Sequence, residues 1–327
     1  MTGTESIEGP SWIRPLGGTG LSVSAVIAGG APLGSMPEAF GYEVPEDAAI
    51  DLVESILTSP IRAIDTSNGY SSGRSEERIG MAIARAGGLP PDFLVATKVD
   101  ADGADYSGER VRASVRESKR RLGLDHLPLV YLHDPEFHDF EALSASGGAV
   151  ETLVRLVEEG EIGHIGVAGG DVHKIAPYVD LGVFEVLLTH NRWTIVDRSA
   201  TDLIGRAVAG GMAVVNAAIY GGGILADPTG GNTRYGYREA TPDTLAAIRS
   251  MTELAREFGT DLPTVALQAS LRDPKISSTV VGFSKPSRVE SIVQAASRQL
   301  PPEFWDTLET LVPTQENWLD FQSAPRE

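Results

Sequence analysis

Residues 61–70 read Ile-Arg-Ala-Ile-Asp-Thr-Ser-Asn-Gly-Tyr, and residues 73–80 continue with Gly-Arg-Ser-Glu-Glu-Arg-Ile-Gly. The short run Arg62 to Asp65 ends on an acid and passes through small polar residues to a tyrosine, as a buried strand bounded by a loop would. The amphipathic stretch Ser75 to Ala86 behind it reads as a helix, which makes one strand–loop–helix unit. That unit recurs on both sides. Upstream, strand Val23 to Ala28 leads through Gly-Gly-Ala-Pro-Leu-Gly to a helix opening at Pro45-Glu46-Asp47, where acids suit the positive helix end. Downstream come strands Phe93 to Lys98, Leu127 to His133, His164 to Ala168, Val186 to Thr189, Ala213 to Ile219 and Ser278 to Gly282. Between them lie helices Gly108 to Leu122, Ala149 to Glu159, Asp171 to Val179, Ala200 to Ala209, Pro242 to Phe258 and Leu262 to Leu271. A helix from Pro286 to Ala296 and another beginning near Pro302 finish the chain.

Eight such units, with no exact repeat, linker or low-complexity tract, predict an α/β fold: one (β/α)8 TIM barrel spanning 1–327. Residues 13–24, two short extended pieces joined by Gly-Gly-Thr-Gly, predict an N-terminal β-hairpin cap. An open doubly wound sheet is the alternative. It is disfavoured because no Gly-x-Gly-x-x-Gly opens a helix after an early strand. The Gly-rich stretch Gly221 to Tyr237 shows no periodicity and reads as a long functional loop.

Hydrophobic residues make up 42% and charged residues 22%, so a large buried core is expected. Asp and Glu outnumber Lys and Arg by 45 to 27, and a net charge of -18 repels a phosphate backbone, which excludes nucleic acid as an expected partner. With no cysteine there is no disulfide, thiolate metal site or thiol nucleophile. MTGTESIEGPSW has neither the basic nor the apolar region of a secretory leader, and no apolar run is long enough to span a bilayer. The expectation is a cytoplasmic protein with no membrane partner, as a monomer or small homo-oligomer.

In a parallel barrel the strand C-termini share one face, so polar groups ending successive strands converge. Asp65 ends the second strand, Tyr70 follows in its loop, Lys98 ends the third strand and His133 the fourth. A buried Asp and Lys pair, because an unpaired buried charge costs several kcal/mol. The resulting positive charge beside a tyrosine favours phenolate and is expected to lower its pKa from about 10 toward working pH. Such a tyrosine exchanges a proton with an alcohol or carbonyl oxygen, and His133 can hydrogen-bond to the same oxygen. Any one of these residues taken alone reads as a structural ion pair. Their order at three consecutive strand ends is what points to chemistry. His126, His138, His164 and His173 lack metal-ligand spacing, so no metal is expected, and the arginines of helix 108–122, with Lys119, read as a solvated face.

The two quoted segments, together with Glu161-Ile-Gly-His-Ile-Gly-Val and Val281-Gly-Phe-Ser-Lys-Pro-Ser-Arg, resemble the aldo-keto reductase family over nearly the whole chain. The resemblance implies an NAD(P)-dependent oxidoreductase in which Tyr70 is the general acid/base, Asp65 and Lys98 tune it, and His133 orients the substrate oxygen. It places the nicotinamide near Ala31, Pro32, Leu33, Gly169, Thr189 and Asn191. The pyrophosphate falls under Ala217, Ile219, Tyr220, Gly221, Gly223 and Leu225, and the adenosine end near Gly282, Ser284, Lys285, Arg288 and Ile292. Gly169-Gly170 and Thr189-His190-Asn191 depart from the family's usual amide-holding side chains. Gly282 and Phe283 stand where phosphate-selecting members carry a basic residue and Ser, which tilts the expected cofactor from NADP toward NAD.

Within the family the sequence resembles bacterial L-fucose or D-threo-aldose dehydrogenases and pyridoxal 4-dehydrogenase. This implies a small-molecule substrate, an aldose or pyridoxal-like carbonyl or alcohol, oxidised from hemiacetal to lactone. Trp193 and Trp318 are candidate substrate contacts, or equally core. An NADPH-dependent aldehyde or ketone reductase, and a non-catalytic cofactor-sensing barrel subunit, are the competing readings.

Overall fold

The computed structural model describes residues 12–37 and 41–322. Of the N-terminal stretch MTGTESIEGPSW, all but Trp12 lies outside the described residues. Eight parallel strands close a barrel in the order β12-β3-β4-β5-β6-β7-β8-β9. They are preceded by β1 (Ile13–Pro15) and β2 (Ser22–Ser24). The first four staves are β3 (Val26–Gly29), β4 (Ala63–Asp65), β5 (Leu94–Val99) and β6 (Leu127–His133). The others are β7 (Ile162–Gly169), β8 (Val186–His190), β9 (Ala213–Ala217) and, after the two-residue strands β10 (Arg234–Tyr235) and β11 (Arg238–Glu239), β12 (Ser278–Gly282). β12 pairs with both β3 and β9, and this double pairing closes the sheet and leaves no edge.

The β1–β2 hairpin caps the N-terminal end of the barrel as expected. Leu16 and Val23 are fully buried among Ile27, Ala63, Leu94, Leu129 and Ala213, so the hairpin stoppers the barrel interior with apolar side chains. The expected first strand, Val23 to Ala28, is in fact two: Val23 belongs to the hairpin, and the barrel stave starts after Ala25. No Gly or Pro marks the break. It is held by Ser24, whose Oγ donates to Val26 O (2.6 Å) and accepts from Arg62 N (2.9 Å).

A second apolar layer lies between the strands and the surrounding helices, and local capping sets several helix starts. Ser107 caps helix Gly108–Leu122, Asp171 caps Val172–Asp180 and Thr241 caps Pro242–Glu257 through side-chain oxygens that accept backbone N–H groups, each worth about 1 kcal/mol. Gly123 in the left-handed region (φ 67°) ends helix Gly108–Leu122. The stretch read as an aperiodic loop carries the short β10–β11 ladder and anchors inward through Tyr235, whose hydroxyl donates to Asn191 O (2.5 Å). Gly221, at φ 59°, lies against the Tyr235 ring, leaving no room for a Cβ. No described helix is long and apolar enough to cross a membrane.

Candidate active site

The four ionisable residues read from the strand ends meet at the C-terminal mouth of the barrel, around a cavity of about 480 Å3. Lys98 is 1% and Asp65 4% exposed, and Lys98 Nζ donates to Asp65 Oδ1 (2.6 Å), to Thr66 O (2.6 Å) and to the Tyr70 hydroxyl (3.2 Å). One ammonium thus spends its donors on a carboxylate, a carbonyl and a phenol. Burial pushes the ammonium down, but Asp65 and Tyr70 more than offset it, and Lys98 is held above its ordinary value.

Tyr70 departs from expectation in direction. Burial pushes its phenol up to about 12, because desolvation of a phenolate outweighs the attraction of Lys98, and Asp65 and Asp134 add to the rise. The hydroxyl is therefore a proton-bearing donor at neutral pH. It is presented by a loop in which Ser71 and Ser72 both take left-handed backbone (φ 53° and 57°). The Tyr70 ring meets the His133 ring edge-on, centroids 5.6 Å apart.

The side chains that fix His133 lie outside the four residues singled out from the sequence. Asp100, just past β5, has Oδ1 2.6 Å from His133 Nδ1, and its other oxygen accepts from Ser67 Oγ and from Gly69 N (2.7 Å). Nδ1 is thereby committed to Asp100, and Nε2 faces the cavity side, 3.8 Å from Asp134. Burial presses the imidazolium down, yet Asp100 and Asp134 outweigh it and His133 sits above its ordinary value. Because Gly69 directly precedes Tyr70, Asp100 ties the histidine to the tyrosine loop.

Two arginines of helix Gly108–Leu122 also correct the sequence reading. Arg110 Nη2 donates to Asn68 Oδ1 (3.1 Å) and Arg121 Nη1 to Asn68 O (3.1 Å), so they clamp the tyrosine loop rather than sit in solvent. Arg121 also meets Glu76 (3.2 Å), a fully buried carboxylate that accepts from Thr97 Oγ1 (2.7 Å) in the stave that carries Lys98.

The rest of the cavity is lined by, among others, Ala31, Pro32, Ala168, Leu188, Ala217, Ile219, Tyr220, Val280 and Gly282. Of the residues assigned by resemblance to a cofactor, Ala31, Pro32, Ala217, Ile219, Tyr220 and Gly282 line the cavity. Leu33 and Ile292 lie in the hydrophobic core. Gly169, Thr189, Asn191, Gly221, Gly223, Leu225, Ser284, Lys285 and Arg288 are not in the lining. Buried polar atoms without a protein partner nevertheless sit in these segments: Thr189 Oγ1, Asn191 Oδ1, Tyr220 OH and Arg288 Nε. Unspent hydrogen-bonding groups of this kind fit a polar ligand laid across the strand ends.

Trp193 and Trp318 are not in the lining. Trp193 Nε1 donates to Asp273 (3.1 Å) beneath the Arg198 guanidinium, 3.8 Å from its ring, and Trp318 Nε1 donates to Pro313 O (3.0 Å). Met36, Asp134, His190 and Tyr237 do line it, and sequence reading had not assigned them to the site. Asp134 and His190 each follow or end a stave, a signal equal to that of Lys98.

Comparison with known proteins bears on the family of the chain. L-Galactose dehydrogenase of Arabidopsis thaliana is 32% identical over 290 residues, 87% of this chain and 88% of its own length. Pyridoxal 4-dehydrogenase of Microbacterium luteolum is 29% identical over 334 residues, 90% of this chain and 96% of its own. D-threo-Aldose 1-dehydrogenase of a Pseudomonas species is 27% identical over 326 residues, again 90% and 96%. The model of the aldo/keto reductase family matches residues 25–313, eight staves and the helices between them. The chain belongs to the aldo/keto reductase family and is an NAD(P)-dependent oxidoreductase.

Proposed function

We propose that this enzyme oxidises a sugar-like cyclic hemiacetal to the lactone, with Tyr70 exchanging the hydroxyl proton and a nicotinamide taking the hydride. The observation that carries the reading is the Lys98 ammonium shared between Asp65 and the Tyr70 hydroxyl at the wall of the cavity. The names of relatives that act on L-galactose and on carbon 1 of aldoses support the substrate class. A nicotinamide supplies the hydride acceptor, which no side chain can provide. In the oxidation direction the phenolate form of Tyr70, its own proton released to solvent beforehand, would receive the proton of the anomeric hydroxyl while the carbon-bound hydrogen leaves as hydride, so the net products are lactone, reduced cofactor and one proton. Lys98 stabilises the charge that passes through the phenol, and Asp65 keeps Lys98 charged and fixed. His133, its Nδ1 held by Asp100, offers Nε2 to the same oxygen.

NAD is the proposed cofactor. After β12 the chain presents Gly282 and a fully buried Phe283, neither of which offers a charged or polar side chain to a 2'-phosphate. Arg288, half-buried with Nε unpartnered, and the exposed Lys285 are cations there that would favour NADP. A reductase reading gains from one observation: with its value near 12, Tyr70 keeps the proton that a carbonyl oxygen must receive. The test is initial rates with NAD and NADP against aldoses and pyridoxal, and with the reduced cofactors against aldehydes, followed by the absorbance of the reduced nicotinamide. Lactone-forming oxidation with NAD is expected, and turnover confined to NADPH-driven carbonyl reduction would overturn the proposal.

A further inference from the structure

Asp134 directly follows His133 at the end of β6 and takes left-handed backbone (φ 46°, ψ 44°), unfavourable for a residue with a Cβ. Its N–H donates to Ala168 O (2.8 Å), which locks the turn and sends the side chain to the cavity instead of outward. Strained backbone that aims a carboxylate into a site is a feature of binding and catalytic positions. The carboxylate is 38% exposed and lies between two imidazoles, Oδ2 3.8 Å from His133 Nε2 and Oδ1 3.8 Å from His190 Nε2. Both separations are too long for a hydrogen bond, so its acceptor capacity is open toward the cavity. Asn191 Nδ2 lies 3.1 Å from His190 Nδ1, and an amide nitrogen can only donate, so Nδ1 is the accepting atom and Nε2, facing Asp134, is the ring's donor. An acceptor and a donor thus stand side by side across from Tyr70, among the apolar side chains of Ala168 and Leu188.

We propose that Asp134 and His190 form a second polar subsite that takes a hydroxyl on the carbon next to the reacting one, so that the enzyme selects α-hydroxy carbonyls and their hemiacetals over plain aldehydes. This rests on the reading above only in placing the reacting oxygen at Tyr70 and His133. A substrate hydroxyl donates to Asp134 and accepts from His190 Nε2. A substrate that lacks it covers the carboxylate without replacing its water, which a site built around a polar group penalises in its transition state. The carboxylate is held down at about 2, so it remains an acceptor at every working pH.

The test compares kcat/KM within matched pairs, an aldose against its 2-deoxy counterpart in oxidation and glycolaldehyde against acetaldehyde in reduction, with NAD(H) and NADP(H). The wild-type enzyme is expected to prefer the hydroxylated member by at least about tenfold, as for a hydrogen bond to a charged group. Asp134→Asn is expected to bring the ratio within each pair down by about as much, whatever common change it makes in both members through His133 and Tyr70, and to bind cofactor with unaltered fluorescence quenching. His190→Ala reads the same ratio should Asp134→Asn fail to fold. Ratios near one in the wild type, or ratios that survive both variants, would overturn the subsite. Asp134, His190 and Glu136 each bring a ligand-type atom within 4.8 Å of the others, so stimulation by Mg2+ or Mn2+ that Asp134→Asn abolishes would assign the group to a cation and also overturn it. Reduction of both aldehydes without oxidation of any aldose would remove the sugar reading, and the aldehyde pair would still decide the subsite.

Discussion

The two walls of the cavity are built on opposite plans. The wall at β4–β6 is polar and tied together internally: Lys98, Asp65, Tyr70, Asp100, Ser67 and His133 bond to one another, with Asp65 Oδ2 left buried without a partner and His133 Nε2 left toward the cavity. The wall at β7–β9 and β12 is small, apolar and backbone-rich, and Thr189, Asn191 and Tyr220 nearby hold buried polar atoms with no protein partner. The first wall is organised before any ligand arrives, as proton transfer requires. The second keeps its hydrogen-bonding capacity in reserve, as a binding surface for an elongated polar molecule does.

The contrast breaks most visibly at Lys98. Lys98→Met leaves Asp65 as an uncompensated buried charge, so a loss of about 3–5 kcal/mol of stability is expected, alongside loss of turnover. Thermal melts of this variant and of Asp65→Asn/Lys98→Met read it, and the double variant should regain most of the lost stability. Lactone-forming oxidation is next in size. It needs a Tyr70 able to accept a proton, and with the phenol near 12 the rate should climb with pH throughout the alkaline range, whereas a pH-rate profile with a plateau at neutral pH would mean that the loaded site lowers Tyr70 strongly.

Asp100→Asn should bring the His133 titration, followed by NMR of the imidazole nitrogens, down toward its ordinary value. Because the folded value is raised, the pair's contribution to stability is complete below about 6.5 and is lost as pH rises through the folded value. The difference in Tm between wild type and Asp100→Asn should therefore narrow at alkaline pH. On the other wall the sign reverses. Thr189→Val removes a buried hydroxyl that bonds to nothing, so the ligand-free protein should be as stable as wild type or up to about 1–3 kcal/mol more so, while cofactor affinity by fluorescence titration weakens. Trp193→Phe, outside the cavity lining, should cost about 1 kcal/mol through its bond to Asp273 and leave kcat/KM unchanged.

The same contrast explains what the sequence makes legible. Asp65, Lys98 and His133 can be read because an apolar run ending in a charge is visible in one dimension and barrel closure brings such ends together. Asp100 escapes notice inside Val-Asp-Ala-Asp-Gly-Ala-Asp, where acids look like a solvated turn. Its signal was the two-residue spacing from Lys98, which returns a strand side chain to the same face. Arg110 and Arg121 look like any charged helix face, and only the packing of that helix on the tyrosine loop distinguishes them. The binding wall is the least legible, because small residues and backbone carry no chemical signature, and Trp193 and Trp318 proved to be bound to neighbouring chain segments outside the cavity lining. The break at Ala25 has no turn residue to announce it.

In the proposed reaction the Tyr70 hydroxyl carries the proton that accompanies hydride transfer. The most direct measurement is single-turnover formation of reduced nicotinamide by wild type and Tyr70→Phe, each saturated with cofactor and the preferred aldose. Cofactor affinity should be equal in the two proteins and the rate in Tyr70→Phe lower by about 10²- to 10⁴-fold. Equal rates with equal affinity would rule out Tyr70 as the proton carrier.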